Sequence, residues 1–302
     1  MNDAVQSVAI VGLGLIGSSI ARAVRARLPE ARLTGFDGDP AIRARAAELG
    51  LADMMETAAA AVAGADLVIL CVPVGAMAAA ADSIAGGLGP DTIVSDVGSS
   101  KAAVGETLRE RLPGARIVPA HPVAGTENSG PDAGFAELFQ GRWCILTPDE
   151  QADPGDVASL SAFWTTLGAR VEVMEARHHD LVLAVTSHLP HLIAFTIVGT
   201  ASDLERVTES EVIKYSAGGF RDFTRIAASN PTMWRDVFLS NKAAVREILA
   251  RFKDDLAFLE RAIEADDGAT LFDLFSRTAA IRRGIVQQGQ DVAKPDFGRS
   301  PG

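Results

Sequence analysis

The stretch that most limits what this chain can fold into runs from Ser7 to Arg27. Ser7 to Val11 (Ser-Val-Ala-Ile-Val) is a β-branched apolar run of the kind a buried parallel strand needs. It passes directly into Gly12-Leu13-Gly14-Leu15-Ile16-Gly17 and then into a segment, Ser18 to Arg27, that reads as a helix. A G-x-G-x-x-G run between strand and helix is the dinucleotide-binding fingerprint in the context that gives it meaning. Gly12 makes the tight turn, Gly14 lets the backbone approach a pyrophosphate, and Gly17 lets the helix pack close on the strand. The N-terminus of the helix then offers unpaired N–H groups to the phosphates.

A second strand, Ala31 to Phe36, ends at Asp37, twenty positions after Gly17. That is the place for a carboxylate that accepts hydrogen bonds from an adenosine ribose, and it would repel a 2′-phosphate. Gly38 follows where a basic or hydroxyl side chain would favour NADP, so the expected cofactor is NAD, with NADP less favoured. The candidate cofactor-binding set is Gly12, Gly14, Leu15, Ile16, Gly17 and Asp37, with Val72 and Pro73 at the end of a later strand.

The α/β alternation continues: Ala41 to Leu49 as a helix, Asp66 to Val72 as a strand, Met77 to Leu88 as an Ala-rich helix. Further strands are expected at Thr92 to Ser95, Ile117 to Ala120, Trp143 to Thr147 and Arg170 to Met174. Polar clusters follow the strand ends, where ligands sit in open parallel sheets. They are Asp96-Val97-Gly98-Ser99-Ser100-Lys101 and His121-Pro122-Val123-Ala124-Gly125-Thr126-Glu127-Asn128-Ser129-Gly130. The second packs an imidazole, a carboxylate and two hydroxyls into ten residues that look neither like strand nor like helix. A surface turn with an incidental histidine is the plainer reading, but the placement after a strand favours a catalytic loop around His121.

After Glu175 the period becomes helical. Leu181 to Gly199 is apolar nearly all round, as expected for a buried helix. Asp180, Ser187, His188 and His191 form a polar stripe on it, and Pro190 is placed to kink or restart it. Between Tyr215 and Ala228, paired glycines stand beside Arg221 and Arg225, suited to gripping a carboxylate or to a plain helix start. Asn230-Pro231 has the form of an N-cap with proline at the first helical position. From Trp234 to Ile263 apolar residues recur at three- and four-residue spacing, predicting one long amphipathic helix. Leu271 to Ile285 predicts another, and the polar residues from Gln290 are expected to be disordered. The apolar stripes exceed what a small domain covers, which points to a homodimer. The predicted fold is therefore an α/β Rossmann-type dinucleotide-binding domain over residues 1–174, followed by an all-α domain over residues 175–302 for substrate binding and dimerisation.

Composition narrows the function. With 28 basic against 39 acidic residues the net charge is -11, which argues against a nucleic-acid partner. Only two cysteines, Cys71 and Cys144, each inside an apolar run, fit a reducing compartment and neither a disulfide framework nor a zinc site. The histidines near Asp180 lack a third protein ligand nearby, so no metal is expected. The amino terminus has no signal-peptide pattern and the first half no spanning segment, so the expected location is cytoplasmic, without a membrane partner.

These residues resemble the prephenate/arogenate dehydrogenase family of tyrosine biosynthesis over most of the chain. The resemblance rests on the fingerprint, on Asp96 to Lys101, and above all on His121 to Gly130. It continues through Ser187-His188-Leu189-Pro190-His191, Gly218-Gly219-Phe220-Arg221-Asp222-Phe223-Thr224-Arg225-Ile226-Ala227 and Met233-Trp234-Arg235-Asp236. It implies NAD(P)-dependent oxidative decarboxylation of prephenate to 4-hydroxyphenylpyruvate or of arogenate to tyrosine, with a histidine matching His121 as the base. It further implies that Ser99 hydrogen-bonds His121 or the substrate hydroxyl, with Ser100 beside it as the other candidate. Arg225 is implied to pair with a substrate carboxylate, and His191, with His188, to line the pocket. Glu127 would belong to a gate or polar network, and Gly218 and Trp234 would lie near the substrate, Trp234 reaching across a dimer. With no regulatory or chorismate-mutase-like segment visible, any inhibition by tyrosine is expected to be competitive. Two rivals share the architecture. A β-hydroxyacid dehydrogenase would need a lysine in the first core helix of the second half, and Leu181 to Gly199 has none. A nucleotide-sensing homologue without chemistry would be expected to lack His121 or Arg225.

Overall fold

Strands buried on both faces set the architecture. In β1 (Ser7–Val11), Val8 and Ile10 enter one apolar core while Ala9 and Val11 enter another. β4 (Leu67–Leu70) repeats the division, Leu67 and Ile69 on one side and Val68 and Leu70 on the other. A period of two with both faces apolar is what a central parallel strand requires. The computed structural model describes residues 5–126, 128–205 and 217–285. Among these, β2 (Arg32–Phe36), β3 (Asp53–Met54), β5 (Ile93–Asp96) and β6 (Arg116–Ile117) complete a six-stranded parallel sheet of order β3-β2-β1-β4-β5-β6. This is the doubly wound dinucleotide-binding order, whose crevice opens between β1 and β4. Helices α1 (Leu15–Arg27), α2 (Pro40–Glu48), α3 (Ala58–Val62), α4 (Met77–Ile84) and α5 (Ala102–Arg111) make the crossovers.

The expected strand from Ile117 to Ala120 divides in two. Pro119 has no N–H to give to the β5 ladder, and pairing with β5 stops at Val118, whose N–H reaches Val94. The chain then forms β7 (Ala120–Pro122), which pairs antiparallel with β8 (Trp143–Leu146). β8 in turn pairs parallel with β9 (Arg170–Val173) in a second sheet of three strands. His121 is thus a strand residue opposite Ile145, not part of the irregular loop expected from the sequence. The irregular backbone begins at Val123. Helix α6 (Pro154–Thr166) links β8 to β9.

The second half opens with α7 (Ala176–Leu183), a π turn (Ala184–His188) and α8 (Leu189–Glu205). Pro190 cannot donate to a carbonyl one turn back, and the widened turn sits directly before it. This helical run, Ala176–Leu204, is long and apolar enough to cross a membrane by length and composition alone. It is less buried than the sequence implied: Val185, Ile197 and Val198 are exposed on the single chain, while His179, Asp180 and His188 are buried and hydrogen-bonded inward. Next come α9 (Gly218–Thr224), a 3-10 turn (Arg225–Ala228) and α10 (Pro231–Ser240), whose N-cap Asn230 accepts from the Met233 N–H at 3.0 Å. The single amphipathic helix expected from Trp234 to Ile263 is two, α10 and α11 (Lys242–Glu264), separated at Asn241. α12 spans Gly268–Ile285.

Two compact units divide after Arg246. The first holds both sheets and the helices packed on them. The second holds the rest of α11 and α12, and on its helices Leu256, Phe258, Ile263, Phe272, Phe275 and Ile281 are exposed. The residues from Gln290 lie outside the described residues.

Candidate active site

The glycine turn is built to take a phosphate. Gly12 has φ +99°, and a Cβ there would meet the Cys71 carbonyl and Val72. A Cβ on Gly17 would stand 2.0 Å from the Gly12 carbonyl oxygen, whereas Gly14 faces open space. Gly14 is also the N-cap of α1 and supplies no side-chain cap, so the first N–H groups of the helix, including those of Leu15 and Ile16, have no side chain closing over them. Asp37, at the end of β2, accepts from the Leu13 N–H at 2.7 Å and from the Asp39 N–H at 2.9 Å. Its carboxylate therefore braces the turn and keeps lone pairs for a ribose. Arg43 donates to the Asp37 carbonyl at 2.6 Å. Val72 and Pro73 follow β4 on the other side of the crevice.

The histidine lies beyond the carboxyl end of β5. Asp96, the last residue of that strand, accepts from the Gly98 N–H at 2.7 Å and pairs with Lys101, both side chains being 0% exposed. Lys101 Nζ also donates to the Ala120 carbonyl at 2.7 Å, which fixes the strand residue before His121. His121 is 8% exposed. Its Nδ1 lies 2.8 Å from His179 Nε2, and His179 Nδ1 lies 2.9 Å from Asp180 Oδ1. The Asp180 carboxylate in turn caps α5, accepting from the N–H groups of Lys101 at 2.7 Å and Ala102 at 3.0 Å. The resemblance implies that Ser99 hydrogen-bonds His121 or the substrate hydroxyl; at His121 Nδ1 the partner is His179, carried there by α7. Ser100 is buried with its hydroxyl 2.8 Å from that of Ser240.

Farther along the helices, His188 Nδ1 is 3.1 Å from Asn241 Nδ2, which also donates to the Asp180 carbonyl at 2.7 Å. His191 Nδ1 donates to the Ser187 carbonyl at 2.9 Å, and its ring stacks on Trp234 of the same chain at 3.7 Å between centroids. Trp234 also meets His188 edge-on at 6.1 Å. Arg225 is exposed on its 3-10 turn, near enough to His191 for its charge to act on that ring. Gly218 opens α9. Glu127 lies outside the described residues.

Burial dominates the electrostatics. It pushes His121 well below the ordinary histidine value, helped by the charges of His179, Lys101 and His188. Burial likewise lowers His179 and His191, and brings His188 to about 4. Asp180 is pushed up by burial, but the hydrogen bonds from His179 and the two backbone N–H groups hold it below its usual value. At neutral pH the site is thus a neutral imidazole, His121, backed by a second neutral imidazole and an ionised carboxylate. His179, Lys101 and Asn241 are not among the site residues expected from the sequence. The His179-Asp180 doublet at a helix start was a usable signal, whereas nothing local marks Asn241.

Sheet order, glycine turn and buried histidine define a Rossmann-type dehydrogenase. Residues 20–173 match the model for the prephenate dehydrogenase nucleotide-binding domain, and residues 175–277 the model for the prephenate dehydrogenase dimerization domain. The chain belongs to the prephenate dehydrogenase family and is an oxidoreductase. It is similar to a cyclohexadienyl dehydrogenase from Zymomonas mobilis, at 46% identity over 91% of this chain and 94% of that protein. It is also similar to the crystal structure of prephenate dehydrogenase from Aquifex aeolicus in complex with hydroxyphenyl propionate and NAD+, with TM-score 0.87 and 34% identity over 93% of this chain and 98% of the other. An arogenate dehydrogenase from Synechocystis matches with TM-score 0.79 and 26% identity over 92% of this chain and 99% of that one.

Proposed function

We propose that this enzyme oxidatively decarboxylates prephenate to 4-hydroxyphenylpyruvate, arogenate to tyrosine, or both, with NAD as the redox partner. The observation that carries the reading is His121, a buried neutral imidazole on β7, just beyond the carboxyl end of β5 in the dinucleotide-binding sheet. The open face of Gly14, the uncapped start of α1 and the braced Asp37 fit a dinucleotide. Gly12, Gly14, Leu15, Ile16 and Gly17 would hold its pyrophosphate, Asp37 its ribose, and Val72 and Pro73 the flank of the crevice. Asp37 favours NAD over NADP because a 2′-phosphate would face its carboxylate. NAD, when bound, supplies the hydride acceptor.

His121 takes the C4 hydroxyl proton as the hydride leaves C4, and returns it to the phenolate oxygen once carbon dioxide has departed. A base must be unprotonated to begin, and burial secures that state at neutral pH. Aromatisation drives the reaction, so the remaining residues need only orient the ring. Ser99 is assigned to the substrate hydroxyl, since the Ser100 hydroxyl is engaged by Ser240. Arg225 is assigned to a substrate carboxylate, with His191, His188, Trp234 and Gly218 lining the pocket and Glu127 at its mouth. The functional division is placed at residues 1–174 for the cofactor and 175–302 for substrate and dimerisation. The working form is a cytoplasmic homodimer, supported by the apolar side chains left exposed on the helices.

Steady-state rates with both substrates and both cofactors test the reaction. No turnover of either substrate would overturn it. For the base, kcat of His121→Asn is expected to fall by about 10²–10⁴-fold, and a change of only a few-fold would remove the assignment.

A further inference from the structure

We infer that His179 and Asp180 are positioning residues for His121: their hydrogen bonds hold it as the Nδ1–H tautomer, leave Nε2 as the atom that receives the substrate proton, and steady the charge that then forms. The inference rests on the assignment of His121 as the base. It follows from donor and acceptor counting along one chain of bonds. Asp180, whose two oxygens already accept backbone N–H groups, is an acceptor only, so His179 Nδ1 carries a hydrogen. In a neutral ring the other nitrogen is then a lone pair, so His179 Nε2 accepts. His121 Nδ1, 2.8 Å away, must be the donor, and its Nε2 keeps the lone pair.

The same bonds matter after the proton arrives. His121 has become an imidazolium in a buried place, facing Lys101 from the start of α5, with Asp96 paired to that lysine, Cys144 on β8, and His188 on the π turn. Lys101 opposes the new charge. The neutral His179 ring steadies it: its Nε2 accepts from the His121 Nδ1–H, and the Asp180 carboxylate on the far nitrogen strengthens that acceptor. The arrangement has the logic of a base with its orienter and carboxylate, with a second imidazole placed between them. Its anchors are secure: Asp180 caps α5 and its carbonyl is tied to Asn241.

Two variants, His179→Leu and His179→Gln, are compared with wild type and with His121→Asn, using the pH dependence of kcat/KM and the imidazole ¹⁵N shifts of His121. In His179→Leu, kcat is expected to fall by about 10²-fold with KM little changed, the acid limb to move to lower pH, and His121 to become a mixture of tautomers. In His179→Gln the amide oxygen can accept from His121 while its NH₂ donates to Asp180, so most of the rate and the Nδ1–H tautomer are expected to return. The inference is overturned if a folded His179→Leu protein keeps kcat within about threefold with its acid limb and tautomer unchanged, or if the Gln variant is as slow as the Leu variant. If His121→Asn is itself active, the base assignment fails. If His121→Asn is inactive while the His179 variants behave as wild type, only the positioning role fails.

Discussion

Lys101 and Asp96 form an ion pair that is wholly buried behind the strand carrying His121, and the lysine also holds the Ala120 carbonyl at 2.7 Å. Burial lowers Lys101 and the charge of Asp96 opposes that shift, so the pair is kept by geometry rather than by solvent. Removing one partner leaves the other charge stranded. Lys101→Met is expected to cost about 3–5 kcal/mol of stability, while combining it with Asp96→Asn should cost less than the single change. Urea unfolding of the two variants checks this; equal or greater loss in the double variant would contradict it.

The second and third glycines of the fingerprint, Gly14 and Gly17, should separate folding from cofactor binding. In Gly17→Ala the new methyl would meet the Gly12 carbonyl at 2.0 Å, so a loss of about 1–3 kcal/mol is expected even without ligand. Gly14→Ala adds its methyl to open space and should leave Tm unchanged while weakening NAD. Thermal melts and calorimetric titration with NAD distinguish the two.

Arg225 is assigned a carboxylate, and the charge-assisted pair should be worth about 1.5–3 kcal/mol, hence roughly 10- to 150-fold in affinity. Arg225→Ala is therefore expected to raise KM for the substrate by that factor and leave KM for NAD nearly unchanged. A normal substrate KM in the variant would place the carboxylate elsewhere.

Four histidines share a direction of shift. Burial lowers His121, His179 and His191, and brings His188 to about 4, so over the acid range the unfolded chain binds more protons than the folded one. Their contribution is complete above the ordinary value of about 6.5 and is lost as pH falls through the lowered values. Tm is accordingly expected to drop between about pH 6.5 and pH 4, and His188→Asn should flatten part of that slope. A Tm constant across this range would refute the shared shift. Because His121 is among them, kcat/KM should persist below pH 6.5 for as long as the fold does.

Much of the site was legible because its parts are local. The fingerprint works through backbone N–H groups and glycines adjacent in sequence, and Asn230-Pro231 announced its helix start. Pro119 was in plain view, but its effect depended on which neighbour Val118 was pairing with. The break at Asn241 was hidden because the apolar period runs on through it; only the nearness of Asp180 and His188 gives that amide its work. That His179 meets His121 Nδ1 was hidden because it depends on where α7 lies, 58 positions further along the chain.

By itself, then, the sequence determined a Rossmann-type sheet, a dinucleotide turn, a histidine worth testing and a helical second half. These follow from periodicity, turn chemistry and adjacency, which a linear chain carries openly. The tertiary structure alone decided that His121 sits in a strand of a second sheet, that His179 and Asp180 stand behind it, and that Lys101 is sealed against Asp96. The His121–His179 contact joins residues 58 positions apart, and even for the nearby Lys101 and Asp96 the burial of the charges is set by packing, which no local pattern encodes.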